Sequence, residues 1–209
     1  MPANDAIRIL LVDDHPVLRR GLTAIIHACP DMRVIAEAGS GEDGLVQFRI
    51  HRPDVTLMDL RMRGMSGTEA TAAIRSEFPD ARIIILTTYE GDADIQRAIA
   101  AGARGYLLKN MLPEQQIAAI QRVHAGQRVI PSEVAAQLAE YCGDEMLSPR
   151  ELEILDLVAA GGRNRQIAAQ LGLTEDTIKA HVSSILAKLG ASDRTQAVTI
   201  AARRGFIHL

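Results

Sequence analysis

The sequence predicts a doubly wound α/β domain followed by a small all-α domain. Three observations carry that prediction. Over the first 125 residues, five short β-branched runs alternate with five amphipathic stretches of helical length. Over the last 62 residues the patterning is helical only, punctuated by Gly and by capping residues. Charge divides along the same lines: residues 1–125 hold 14 Lys/Arg against 16 Asp/Glu, residues 126–147 one against four, and residues 148–209 eight against six. A length of 209 residues suits one or two domains.

Composition narrows the classes. Hydrophobic residues at 47% and charged residues at 23% fit an ordinary folded chain. No run approaches the roughly 18 apolar residues of a membrane span. Residues 1–5 lack a basic segment leading into an apolar run, so no secretory signal is expected. Cys29 and Cys142 are too few for a disulfide framework or a cysteine-rich zinc site. The expected compartment is the reducing cytoplasm. With no Trp and 3% aromatics, a stacking platform for single strands is not expected. The net charge of −3 speaks against a nucleic-acid partner for the chain as a whole. Residues 163–204 reverse that inference locally, with seven basic residues against three acidic.

The strands are expected at 7–12, 34–38, 55–58, 83–87 and 105–108. Most are apolar almost throughout, as strands buried on both faces are. The helices are expected at 16–28, 41–50, 67–78, 92–101 and 113–125. Pro16 and Pro113 suit first-turn positions, and Gly102 suits a helix stop. Strict alternation implies right-handed crossovers and a five-stranded parallel sheet of flavodoxin-like order 2-1-3-4-5. In such sheets the ligand site lies at the carboxyl ends of the strands.

Those ends carry Asp13 and Asp14, then Asp59, then Thr87 and Thr88, then Lys109. Taken singly, each Asp is readily a turn or cap residue. Together in one crevice, three carboxylates repel unless a hard cation such as Mg²⁺ neutralises them. There is no Gly-rich phosphate loop, no Ser elbow and no HExxH metal pair.

Asp13, Asp14, Asp59, Thr87, Tyr106 and Lys109, in this order, resemble the receiver domain of bacterial two-component response regulators. The resemblance covers residues 5–125. It implies that Asp59 accepts a phosphoryl group from a phosphohistidine on a sensor histidine kinase. Asp14, Asp13 (partly through water), Asp59 and the backbone carbonyl of Arg61 would hold Mg²⁺. Thr87 and Lys109 would bind phosphoryl oxygens, and Lys109 would also pair with Asp59 beforehand. Tyr106 would rotate as Thr87 moves; without the resemblance it reads as a packing residue. Such receivers commonly carry Pro where this chain has Arg63, so this loop lacks that restraint on φ.

Residues 126–147 read as a joint, with a short helix at 133–141 and a break at Gly143, Asp144 and Glu145. Residues 148–209 then read as four helices. Ser148, Pro149 and Glu151 form a capping box on the first, which runs to about Ala160. The second starts at Asn164 or Arg165, with Asn164 a candidate cap, and stops at Gly172. Thr174 is expected to cap the third and Ser192 the fourth, which reaches Arg204. The second and third form a helix-turn-helix. At about 100° per residue, Ile178, Val182, Ile185, Leu186 and Leu189 form one stripe of the third helix. Thr177, Ala180, Ser183, Ser184 and Ala187 form a small-residue stripe opposite, flanked by Lys179 and His181.

This segment resembles the LuxR-type DNA-binding domain, through Ser148-Pro149-Arg150-Glu151, Ile167-Ala168, Thr177 to Val182, Lys188-Leu189, Arg194 and Ala197. With the receiver it makes a response regulator of the NarL/FixJ type. The resemblance implies that the third helix enters the major groove of promoter DNA, with Lys179 and Ala180 nearest the bases. Arg165, Thr174, Thr177, Lys188 and Arg194 suit phosphate contacts. Ser183 and Ser184 lie on the same face, and His181 is either a DNA contact or a structural hydrogen-bonder. Phosphorylation would favour a homodimer and release the third helix. The receiver would catalyse only its own Mg²⁺-dependent phosphorylation and dephosphorylation. Two other functions fit the residues less well. A Mg²⁺-dependent phosphatase would place its nucleophile in a DxD pattern after the first strand, where this chain has Asp13-Asp14-His15. A phosphorylation-independent DNA binder would leave the intact acidic set without a use.

Overall fold

The computed structural model describes residues 6–88, 91–140 and 145–207. The chain divides into two compact units, one of residues 1–89 with 95–135, the other of residues 90–94 with 136–209. Gly143 and Asp144 of the expected break, and Cys142, lie outside the described residues.

The elements run β1 Ile7–Val12, α1 Pro16–His27, β2 Met32–Ala38, α2 Gly41–His51, β3 Val55–Asp59, α3 Gly67–Glu77, β4 Ile83–Thr87, α4 Asp92–Ala100, β5 Gly105–Leu108 and α5 Pro113–His124. The five strands form one all-parallel sheet of order β2-β1-β3-β4-β5, as the alternation predicts. β3, β4 and β5 are buried at every residue. One core packs Ile9, Leu11, Leu57, Ile84 and Leu86 against Leu22 and Ile26 of α1 and Ile120 and Val123 of α5. β2 starts two residues earlier than the β-branched run suggests, because Met32 pairs with Ile7 and is buried. The Tyr106 N–H donates to the Val129 carbonyl at 3.0 Å, and Val129 is itself buried. That residue of the expected joint is therefore tied to the edge of β5.

The remaining helices are α6 Ser132–Glu140, α7 Pro149–Ala159, α8 Asn164–Leu171, α9 Glu175–Leu189 and α10 Arg194–Arg204. The helices α7 to α10 share a core of Ile154, Leu155, Ile167, Ile178, Ile185, Leu189 and Ala201. The predicted apolar stripe of α9 lies in it, with Val182 and Leu186 at its margin. The Ser148 hydroxyl accepts from the Glu151 N–H and the Glu151 carboxylate accepts from the Ser148 N–H, completing the capping box. Thr174 caps α9. Two expected caps are corrected. Asp193, not Ser192, caps α10, because its carboxylate reaches two orphan N–H groups, those of Thr195 and Gln196. Ser192 sits one residue earlier and is held by Gln196. Asn164 is already the first helical residue of α8, and Arg163 occupies the N-cap. Gly172 ends α8 at φ 65°, a left-handed turn that suits glycine.

Candidate functional site

The carboxyl ends of β1, β3 and β5 bring Asp13, Asp59 and Lys109 together. Asp13 follows β1 and is fully buried; Asp59 ends β3 at 3% exposure. Lys109 Nζ lies 2.7 Å from Asp13 Oδ2 and 2.9 Å from Asp59 Oδ2. It arrives there because its own N–H continues the sheet, donating to the Thr87 carbonyl at 2.7 Å. Thr87 ends β4, directly beside β3, and is buried, as is Tyr106 on β5. The Arg61 N–H lies 3.4 Å from Asp59 Oδ1. A groove of about 590 Å³ opens beside Asp59, lined by His15, Val17, Leu18, Arg61, Thr88 and Lys109 among others.

Electrostatics sets the character of this pocket. Burial pushes the Asp59 carboxyl up, and the charge of Asp13 adds to that. The Lys109 ammonium and the Arg61 N–H oppose the rise without cancelling it. Burial alone would lower Lys109, but Asp13 and Asp59 outweigh it and raise the ammonium above its ordinary value. One ammonium therefore serves two carboxylates, with Asp14 alongside.

The residues fit a hard divalent cation. Asp13, Asp14, His15 and Asp59 each bring one ligand atom into a group no more than 4.8 Å across. Asp14 Oδ1 is buried, with His15 Nδ1 beside it at 2.7 Å. A carboxylate-rich donor set suits Mg²⁺ by chemistry.

The loop after Asp59 is built from both sides. Gly67 begins α3 under the strand end, where a Cβ would collide with the Asp59 carbonyl oxygen. Glu42 on α2 accepts the Met65 N–H at 2.9 Å. The backbone N–H of Glu42 itself, and then this Met65 bond, hold the Glu42 carboxyl below its usual value. The sequence pattern does not indicate this anchor. Its only signal is an acid in the first turn of a neighbouring helix.

The second unit presents α9. Lys179, Ala180 and Ser183 are exposed on it, as are Arg165 of α8, Thr174 and Arg194. Thr177 and His181 are half-buried. Lys179 Nζ is 3.0 Å from Asp176 and 3.7 Å from Glu175. An Arg194 guanidinium nitrogen donates to the Gly162 carbonyl at 2.8 Å. Ser184 and Lys188 turn toward α7. The Ser184 hydroxyl donates to Glu151 Oε1 at 2.7 Å, and Lys188 Nζ lies 2.9 Å from Glu151 Oε2. The structure thus places eight of the ten expected DNA-facing residues away from Glu151 and two against it.

Comparison with known proteins agrees with both units. Residues 9–121 match the response regulator receiver domain. Residues 145–201 match the bacterial regulatory proteins of the luxR family. The chain is 41% identical over 210 residues to the transcriptional regulatory protein LiaR of Bacillus subtilis, covering 97% of this chain and all of that one. It is also 41% identical to the transcriptional regulatory protein YxjL of the same organism, covering 97% of this chain and 98% of that one. Among solved structures, it is similar to the response regulator ChrA of a haem-sensing two-component system. That similarity is 38% in identity, with a TM-score of 0.59 over 97% of this chain and 100% of that one. The chain belongs to the response regulators that join a receiver domain to a LuxR-type DNA-binding domain.

Proposed function

We propose that this chain is a transcription regulator switched by phosphorylation of Asp59. The observation that carries the reading is the buried Asp59 carboxylate, raised by burial and by Asp13, with Lys109 at 2.9 Å and a groove beside it. The receiver is read as residues 5–125, the joint as 126–147 and the reader domain as 148–209.

The phosphodonor is a phosphohistidine of a sensor histidine kinase. Asp59 attacks phosphorus in line, the imidazole leaves, and an acyl phosphate remains on β3. Asp13, Asp14, Asp59 and the Arg61 carbonyl would hold Mg²⁺, which would offset charge on the phosphoryl oxygens. Lys109 already touches the acceptor carboxylate and stays with the new anion. Thr87, at the end of the adjacent strand, donates its hydroxyl to a phosphoryl oxygen, and Tyr106 follows that movement. The same pocket returns the phosphoryl group to water; its own phosphorylation and dephosphorylation are the only catalysis assigned to the chain.

The output is double-stranded promoter DNA. Lys179 and Ala180 face the bases; Arg165, Thr174, Thr177 and Arg194 face phosphates; His181 and Ser183 border the groove. Ser184 and Lys188 brace α9 through Glu151 and meet the DNA backbone from that position. A phosphorylated homodimer presents two copies of α9 to two half-sites. No helix among the described residues is long and apolar enough to cross a membrane, and the cytoplasm is the compartment of this reading. Gel-shift titration with and without a small phosphodonor plus Mg²⁺ tests it on wild type and Asp59→Ala. The donor is expected to tighten binding of wild type only. An equal response in both proteins overturns the mechanism.

A further inference from the structure

The loop between Asp59 and α3 carries the Arg61 carbonyl, and its shape is fixed from a different helix. At its base the Gly67 N–H donates to the Leu60 carbonyl at 3.0 Å, closing residues 60–67 into a loop. Midway along it, among the described residues, the Arg63 N–H donates to no protein acceptor. The tie to the rest of the domain comes from Glu42, exposed in the first turn of α2. Its carboxylate accepts the Met65 N–H at 2.9 Å.

The backbones meet closely around that bond. At Gly41 a Cβ would stand 2.4 Å from the Met65 carbonyl oxygen, and at Gly64 one would stand 2.7 Å from Glu42 Oε1. Gly64 also takes φ 76°, a left-handed turn that leads directly into Met65. α2 is itself firmly seated. The Ser40 hydroxyl caps it by accepting the Asp43 N–H. At Gly44 a Cβ would stand 3.0 Å from the Val12 side chain and 3.6 Å from that of Met58. Val12 and Met58 immediately precede Asp13 and Asp59. The helix that grips the loop therefore rests on the two strands that carry the acids.

We infer that Glu42 is a positioning residue for the phosphorylation site: by holding Met65 it fixes the loop and so places the Arg61 carbonyl for the divalent cation. Groups that orient a ligand from outside the coordination sphere set metal affinity without touching the ion. The inference rests on reading the pocket as a cation-assisted phosphorylation site. A proline at position 63 would restrain the same loop by fixing φ, and it would cost no hydrogen bond. It is therefore an independent replacement for the Glu42 tie.

Calorimetric titration of the full chain with Mg²⁺ tests this, beside the Mg²⁺ dependence of phosphorylation by acetyl phosphate. Glu42→Ala is expected to weaken Mg²⁺ binding about tenfold and to raise the Mg²⁺ concentration at half-maximal rate by the same factor. Its unfolding temperature should move by less than about 5 °C. Glu42→Gln keeps an oxygen acceptor and should stay within about twofold of wild type. Adding Arg63→Pro to Glu42→Ala should recover most of the lost affinity. Hydrogen exchange without the cation gives a readout that needs no variant. In wild type the Met65 amide is expected to exchange at least about tenfold more slowly than the Arg63 amide, after correction for local sequence. Equal exchange at the two amides overturns the inference. So does unchanged Mg²⁺ affinity in Glu42→Ala, or a loss that Arg63→Pro does not reverse; each of these leaves the cation site standing. Mg²⁺ binding by wild type that Asp14→Asn does not weaken overturns the reading of the pocket as well.

Discussion

Asp59 and Glu151 are both buried carboxylates, one in each unit, and their surroundings drive them in opposite directions. Burial and the neighbouring Asp13 raise Asp59, and Lys109 restrains the rise only in part. Burial would raise Glu151 as well, but there the Ser148 N–H, Lys188, Ser184 and the Ser148 hydroxyl prevail and hold it at about 2. Asp59 shares its one ammonium with Asp13. Glu151 has donors for both oxygens: the Ser148 N–H and Lys188 on one, the Ser184 hydroxyl on the other. A carboxylate short of donors invites a cation or a phosphoryl group. A carboxylate saturated with donors is a structural bolt, here fastening α7 to α9. Burial alone therefore does not mark a functional acid; the balance of donors to acids does.

The largest expected effect breaks the Asp59 side of this comparison. Asp59→Asn should reduce phosphoryl uptake from a small donor to background, read by phosphate-affinity electrophoresis. The same variant should unfold at a higher temperature than wild type at pH 7 in chelating buffer. A raised carboxyl pKa means that the ionised form weakens the fold. That cost grows as pH rises from the ordinary carboxylate range through the raised value, and the neutral amide removes it.

The next effect tests the opposite sign. Glu151→Ala should destabilise the α7–α10 unit by about 3 kcal/mol, from a lost capping box and an unpaired Lys188. For Glu151 the depressed value reverses the pH dependence. Its contribution is complete above about 4.5 and is lost as pH falls toward about 2. Glu151→Gln should flatten that acid slope while keeping part of the cap. Hydrogen exchange of α7 and α9 amides between pH 5 and pH 2.5 measures it. A slope that persists in Glu151→Gln would show that another group carries it.

This contrast was only half legible in the sequence. The β-branched runs located every strand, and strand topology alone brought Asp13, Asp59 and Lys109 into one crevice. Capping chemistry is local, so Ser148, Glu151 and Thr174 were readable. Long-range partners were not. Nothing within a few residues of Ser184 or Lys188 indicates that both turn toward a glutamate more than 30 residues earlier. At about 100° per residue both lie on the outward side, and only packing against α7 shows which part of that side is covered. The Glu42 anchor of the loop after Asp59 and the docking of Val129 on β5 escaped for the same reason. Ser192 and Asp193 are adjacent capping residues, and only the backbone decided between them.

A smaller effect concerns Lys179, which is engaged by Asp176 and Glu175 before any DNA arrives. The same donor balance applies on the surface, where water screens it. Lys179→Ala should lower affinity for an operator selected in vitro by about tenfold and relax discrimination at one base position. Asp176→Asn should instead strengthen binding to unrelated DNA, since it frees the ammonium without adding a base contact. Equal loss on operator and unrelated sequence in Lys179→Ala would reassign Lys179 to a phosphate.

The smallest effect is on the salt dependence of binding. Arg165 is exposed at the start of α8, and among the described residues it forms no ion pair with an acid. Its guanidinium is thus available to a phosphate without first breaking an ion pair. Neutralising one phosphate releases about 0.9 of a counterion from duplex DNA. Arg165→Ala should therefore lower the slope of log affinity against log salt by about one and weaken all sequences alike. Lys188 makes the useful control, because its charge is already committed to Glu151. Lys188→Ala should change the salt slope less than Arg165→Ala and the stability of the domain more. If the two variants change the slope equally, Glu151 does not hold Lys188 once DNA is bound, and the bolt opens in the complex.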